Sequence, residues 1–149
     1  MTSIDEIRDE LKRANHLLYV SLKYTRTCDI VKNAISRMVV AYELMFLLVM
    51  EKMKDDGKIS SIPPLVIDRA EAMGKYKRGI KEYIDNYLLL KEIDRASFER
   101  REEYRKGVTL IAKLSGGKFE IDIPKLMFHY EKSVEFVNLM EEWLEWQDS

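Results

Sequence analysis

The chain contains few of the residue types that carry out catalysis, and their spacing does not form a catalytic set. It has one cysteine, Cys28, and two histidines, His16 and His129. Neither histidine lies in a Glu-x-x-His or His-Glu-x-x-His pattern, so a metal site lacks ligands at the required spacing. Cys28 would need an adjacent base or cation to act as a nucleophile, and a buried or idle thiol is favoured. The sequence thus predicts no catalytic residue, metal site or cofactor, and favours a protein that is not an enzyme.

A local excess of cations could serve nucleic-acid binding. Residues 12–37 contain a single acid, Asp29, against Lys12, Arg13, Lys23, Arg26, Lys32 and Arg37. Tyr19 and Tyr24 are interleaved with these cations, a composition suited to phosphate contact and base stacking. The alternative is an ordinary solvated helix face. The candidate nucleic-acid-binding residues are Lys23, Arg26, Arg37, Arg101 and Arg105.

Glu43 interrupts the most apolar stretch of the chain, which extends from Met38 to Met50. A buried carboxylate without a partner is costly, so we expect this buried polar residue to contact a cation or a hydroxyl group. A structural pair is favoured over a catalytic carboxylate. The candidate cationic partners are Arg37, Arg100, Arg101 and Arg105.

The spacing of apolar residues predicts several amphipathic helices. Ser3 and Glu6 form a capping box before a first helix over residues 4–23. A long second helix follows a cap at Thr27 or Asp29, and a short helix is expected over residues 64–72. A further helix has the inner face Ile80, Tyr83, Ile84, Tyr87, Leu88 and Ile93, and the last helix begins near Pro124.

Two β-prone runs, residues 108–114 and 118–123, flank a Ser-Gly-Gly turn and predict a hairpin before the last helix. The sign of charge alternates in residues 91–106, which favours an exposed helix over a binding patch, with Glu99, Glu102 and Glu103 placed to pair at helical spacing. Residues 97–106 are expected to extend or follow the preceding helix. The predicted fold class is mainly α. It is an up-down bundle of four or five helices with a small β-hairpin, forming one domain over residues 1–149.

Composition favours a cytoplasmic protein without a membrane partner. A chain of 149 residues can form one core, and a lone cysteine excludes an internal disulfide and fits a reducing compartment. The acidic N-terminal segment does not resemble a signal peptide. The apolar stretch Met38–Met50 is shorter than the roughly 20 residues of a membrane span.

The apolar residues of Met38–Met50 spread over more than one helix face, so this stretch should be covered on most sides. Other helices of the chain or a second copy could cover it, and a homodimer formed through this helix is predicted. Tyr42, Tyr83 and Tyr87 could line a small-molecule pocket, although tyrosines at helical spacing more often belong to the core. Trp143 and Trp146 would either close one end of the bundle or form a docking edge.

Three segments carry a resemblance to a known family. They are SRMVVAYELMFLLVMEK at residues 36–52, YLLLKEIDRASF at 87–98 and KFEIDIPKLMFHYEKSVEFVNLMEEWL at 118–144. In this order they resemble the HEPN superfamily of helical proteins, often encoded beside minimal nucleotidyltransferases. The resemblance implies a helical bundle, pairing of two copies and a partner such as a minimal nucleotidyltransferase.

Ribonucleases of the HEPN superfamily use an arginine followed four to six residues later by a histidine. Neither His16 nor His129 follows an arginine at that spacing, so no catalytic residue is carried over. The leading hypothesis is a non-catalytic, HEPN-like domain that self-associates and binds a protein or nucleotide-bearing partner. The alternative is an RNA-binding or RNA-cleaving toxin-like protein, with Glu43 or a tyrosine as polarising group and phosphate held by Arg26, Arg37, Arg101 or Arg105.

Overall fold

The structure is a computed structural model that describes residues 1–148. Its helices are α1 (Ile4–His16), a π-helical turn (Leu17–Ser21), α2 (Leu22–Tyr24), α3 (Cys28–Asp55), α4 (Val66–Tyr76), α5 (Lys81–Arg95) and α6 (Ile123–Gln147). The strands are β1 (Phe98–Arg101), β2 (Thr109–Leu114) and β3 (Gly117–Asp122). Since α1, the π turn and α2 run on without a break, the described residues form five helical rods. The predicted fold class is confirmed.

Side-chain caps start three of the helices where the sequence predicted them. Ser3 accepts a hydrogen bond from the Glu6 N–H at 3.2 Å, and Thr27 accepts one from the Ile30 N–H at 3.4 Å. At α6, the Asp122 carboxylate accepts from the Lys125 N–H at 3.0 Å. Each cap satisfies a backbone donor that the first helical turn leaves without a partner.

Helix α3 lies at the centre of the bundle and packs against α1, α4, α5 and α6. Its buried residues include Met38, Tyr42, Met45, Phe46 and Val49, each at most 1% exposed. The prediction that this stretch is covered is confirmed, and the cover comes from the same chain. Its burial therefore no longer argues for a second copy.

Helix α3 also has the length and composition of a membrane-spanning helix. An 18-residue window within Cys28–Asp55 has a mean hydropathy of 1.5, and 56% of that window is buried inside the fold. The core helix of a soluble protein can have the same length and composition. The helices α1 and α5, which pack against α3, have charged residues on their exposed faces, as expected around such a core helix.

The three strands form an antiparallel sheet in the order β1-β2-β3. The predicted hairpin is confirmed: Leu114 pairs with Gly117 across the turn. The helix predicted over residues 97–106 is wrong, because Phe98–Arg101 pairs with β2 and the chain then turns. Glu102 and Tyr104 have φ of 54° and 67°, which no right-handed helix accepts.

The side-chain pairs expected for that helix are also replaced. Glu99 bonds Lys118 across the sheet at 3.2 Å, and Glu103 bonds Arg100 at 3.0 Å. Pairing with β2 satisfies the backbone of β1, so the local helical propensity of the segment is overridden. Leu88, placed on the inner face by its spacing, is 40% exposed and is a second correction.

Candidate functional site

The five cations predicted to bind nucleic acid lie in three places. Arg37 lies on α3 in a groove against α1. Lys23 lies in the last turn of the first rod, which ends at Tyr24, and Arg26 follows in the connection to α3, next to the loop that contains Arg105. Arg101 lies on β1 and pairs with Glu120 of β3. The structure therefore brings the loops of Arg26 and Arg105 together, places Arg37 in a separate groove, and pairs Arg101 with a carboxylate.

The basic groove is a cavity of about 390 Å³ between α1 and α3, lined by Lys12, Arg13, His16, Leu17, Asn33 and Arg37. The lining residues of α1 are spaced by three and four residues, so they share one face of that helix. Asn33 and Arg37 have the same spacing on α3. This spacing was a signal by which Lys12, Arg13 and His16 could have been added to the candidate residues.

One carboxylate bridges two guanidinium groups in the basic groove. The Glu10 side chain is 14% exposed, and its two oxygens accept from Arg13 and from Arg37, each at 3.2 Å. Among the residues that the structure describes, neither Lys12 nor His16 forms an ion pair. The groove thus keeps a net positive charge, and Glu10 holds two of its cations in place.

A second cluster, the tyrosine–arginine end, consists of Tyr24, Arg26, Tyr104 and Arg105. The Tyr104 N–H donates to the Arg26 carbonyl oxygen at 2.6 Å, which joins the loop before α3 to the loop after β1. Tyr24 is 80% exposed and Tyr104 is 75% exposed. Within residues 1–148 no carboxylate pairs with Arg26 or Arg105. Sequence reasoning missed Tyr104 because its neighbours are distant along the chain.

Glu103 and Arg100 hold the tyrosine–arginine end against the start of α3. The Cys28 N–H donates to a Glu103 carboxylate oxygen at 2.9 Å, and Arg100 bonds both Glu103 and Asp29. The Cys28 thiol is fully buried and donates to the Thr109 carbonyl oxygen at 3.3 Å. Burial raises the pKa of Cys28, so it remains a thiol, and the prediction of a buried cysteine is confirmed.

Glu43 has the kind of partners that the sequence predicted, but other residues supply them. Its carboxylate accepts from the Tyr87 hydroxyl at 2.6 Å and from Lys91 at 2.7 Å, because α5 packs beside α3. The Glu43 side chain is 24% exposed rather than fully buried. Burial and the Glu43 carboxylate raise the pKa of Tyr87. The candidate arginines lie elsewhere, and a tyrosine and a lysine of α5 take their place.

A buried polar network crosses the core between α3, α5 and α6. His129 Nδ1 lies 2.6 Å from the Asn86 side-chain oxygen, and the Asn86 amide donates to the Tyr42 hydroxyl at 2.8 Å. Burial raises the pKa of Tyr42 to about 12. Tyr42 also stacks on Phe136 at 4.7 Å between ring centroids. Tyr42 and Tyr87 are 1% and 3% exposed and belong to the core, as the sequence favoured, and Tyr87 also lines a cavity of about 530 Å³ between α4 and α5.

The two tryptophans have different environments. Trp143 is partly buried and packs against the core, whereas Trp146 is 71% exposed. The acidic last helix contacts the first rod through the Arg8–Glu141 ion pair at 2.6 Å. Within residues 1–148, no group of three or more His, Cys, Asp or Glu side chains could hold a metal ion.

No protein-family model, curated protein or solved structure matches this chain. The resemblance to the HEPN superfamily therefore stays a prediction, and the function has to be argued from the two basic clusters themselves.

Proposed function

We propose that this chain is a non-catalytic, HEPN-like RNA-binding module of the cytoplasm. The observation that carries the proposal is the basic groove, where Lys12, Arg13, His16 and Arg37 surround a cavity with Glu10 as the carboxylate between them. Phosphate groups are the ligands that Lys12, Arg13 and Arg37 attract, and phosphate contacts supply a large share of the affinity of many nucleic-acid-binding proteins.

The length of the basic surface favours a polyanion over a single phosphate group. Lys12 and Lys23 are eleven positions apart on the first rod, which corresponds to about 16 Å along a helix. Arg26 continues the surface beyond the end of that rod. At the other end Asp5 and Asp9 are exposed on the same helix, so the surface is bounded there by negative charge.

The groove also lies beside the π-helical turn that begins at Leu17. A π-helical turn interrupts the regular hydrogen-bond ladder of an α-helix at some cost in stability. Because of this cost, such turns occur often where they serve a function. The turn supports a role for this part of the rod beyond packing.

The test is the salt dependence of RNA binding. We expect the dissociation constant of a fluorescein-labelled single-stranded RNA of about 12 nucleotides to rise steeply with salt, because bound phosphates release counterions. The double variant Lys12→Ala/Arg37→Ala should bind more weakly and lower the slope of log K against log salt by about 1 for each cation removed. Fluorescence anisotropy from about 50 to 300 mM salt measures both quantities.

The matched control is Arg78→Ala/Lys81→Ala, which removes two exposed cations from the α4–α5 connection and the start of α5. It should bind RNA as the wild type does. Wild-type binding that does not depend on salt concentration, or an equal loss of affinity in the control variant, would contradict the proposal.

A further inference from the structure

We propose that the RNA is single-stranded where it contacts this chain and that two of its bases stack on Tyr24 and Tyr104. This inference rests on the proposed function, since it names the form of RNA that the same surface would bind. Tyr24 and Tyr104 are 80% and 75% exposed. Tyr24 precedes Arg26 by two residues, and the Tyr104 N–H donates to the Arg26 carbonyl oxygen, so both tyrosines lie close to Arg26 along the backbone. Aromatic rings interleaved with cations are the usual means of holding unpaired bases.

The exposure of Tyr104 is not a product of core packing. Its φ of 67° is in the left-handed region, which costs free energy for a side chain of this size and which glycine or asparagine would occupy more readily. The hydrogen bond to Arg26 holds Tyr104 in place, and Glu102, two residues earlier, also has a left-handed φ. A strained residue that presents an aromatic ring to solvent points to a role in binding.

The charges around the two rings favour an anionic chain. Lys23, Arg26, Arg105 and Lys106 lie within two residues of a ring in sequence, and none of them forms an ion pair within residues 1–148. The nearby acids are Asp29, Glu102 and Glu103. Arg100 forms ion pairs with both Asp29 and Glu103, and the Glu102 carboxylate lies over Gly107. Together with Arg100, the four cations outnumber these three carboxylates. The cations therefore remain available to phosphates that flank the stacked bases.

The two clusters can bind one strand together. Tyr24 follows His16 of the basic groove by eight residues, about 12 Å along the rod. A strand whose backbone lies in the groove can thus present its next bases to the tyrosines. In a duplex the bases are stacked within the helix and cannot reach the rings. The surface should therefore prefer single-stranded RNA to duplex RNA of equal charge.

The experiment compares single-stranded and duplex RNA with tyrosine variants at constant salt. We expect Tyr24→Leu and Tyr104→Leu each to weaken binding of single-stranded RNA by about 5- to 100-fold while leaving the salt slope unchanged. Tyr76→Leu, which alters a tyrosine 36% exposed on α4, is the matched control and should bind normally. Quenching of 2-aminopurine in the RNA reports stacking directly and should disappear in the double tyrosine variant.

Tyr104→Gly separates binding from folding. It removes the ring and relieves the left-handed backbone, so the melting temperature should stay the same or rise while affinity falls. Normal affinity and quenching in the double tyrosine variant would overturn the stacking inference even if the groove variant loses binding. Equal affinity for duplex RNA would also overturn it. Wild-type binding that is absent or insensitive to salt would instead defeat the proposed function itself.

Discussion

His129 lies in the buried network with Asn86 and Tyr42, although its sequence context suggested only a histidine without a metal partner. It is 8% exposed, and burial, with Lys132 and Lys125 nearby, lowers its pKa below the ordinary value of 6.5. Charging this ring would place a cation in the core next to groups of the same sign. The neutral form is therefore the one that the fold accommodates.

The buried histidine predicts a pH dependence of stability. Because its pKa is lower in the folded chain, the unfolded chain binds more protons, and stability rises with pH. The stabilisation is complete above pH 6.5 and is lost as pH falls from there toward the lowered pKa. Urea unfolding at several pH values measures this dependence, and His129→Gln, which keeps a neutral polar group, should reduce it.

The effect of His129 on stability can be separated from that of other groups, because the groups act in different pH ranges. Burial alone would raise the pKa of Asp94, but its bonds with Lys32 and Ser36 lower that pKa below 3.8. The effect of Asp94 on stability therefore lies at more acidic pH. A stability that is flat between pH 7 and pH 5 in the wild type would contradict the assignment to His129.

At the scale of elements, β1 was the main error of the sequence analysis. Alternating charges suited a helix over residues 97–106, since the expected pairs were local. The sheet forms instead because β2 offers a continuous partner, with Phe98 opposite Ala112 and Arg101 opposite Thr109. Exposed charged residues tolerate either structure, so their pattern could not decide between them.

The hairpin turn gives a prediction for a single element. Gly117 has φ of 125°, a conformation that other residues rarely adopt, whereas Gly116 does not have a positive φ and has open space around it. Gly117→Ala should lower the free energy of unfolding by about 1–3 kcal/mol through backbone strain. Gly116→Ala should change it by less than about 0.5 kcal/mol. Chemical denaturation measures both, and equal effects would refute the explanation.

For the whole molecule, the central question is whether two copies associate. The inner faces of α3 are covered by its own chain, so pairing is now a proposal that rests on its outer surface. Val40, Leu44 and Leu47 are only partly buried and have the three- and four-residue spacing of one helix face, and Leu44 also packs against the core. A second copy could cover this apolar face, as the HEPN resemblance also implies.

We expect the wild type to scatter light as a dimer and Leu47→Glu to be a folded monomer, because a charge would be buried at the contact. Circular dichroism confirms that the variant is folded. Met45 would be unsuitable for this test, since it is fully buried and a charge there would unfold the chain itself. A wild type that stays monomeric at high concentration would exclude pairing through this face.

The helices, their caps and the hairpin could be predicted from the sequence because each depends on residues a few positions apart. Ser3 with Glu6, Thr27 with Ile30 and the turn before Gly117 are local signals of this kind. The apolar stretch around Met45 also showed that one helix had to be central, since its residues could not remain in water.

The candidate site was predicted only in part. Arg26, Arg37 and Arg105 were chosen by charge alone. The helical spacing of Lys12, Arg13 and His16 places these three residues on one face, but the sequence does not show that Arg37 lies across a groove from that face. The partners predicted for Glu43 were wrong for the same reason. Which helices pack side by side depends on long-range burial of apolar surface, and only that packing decides which charges meet.

Local spacing thus determined the helical class and the position of the turns, because helices and caps form between residues that are near in sequence. Tertiary structure alone decided that Tyr104 lies beside Arg26 and that Glu10 joins Arg13 to Arg37. These contacts bring together separate elements, and their geometry follows from how the other helices pack around α3.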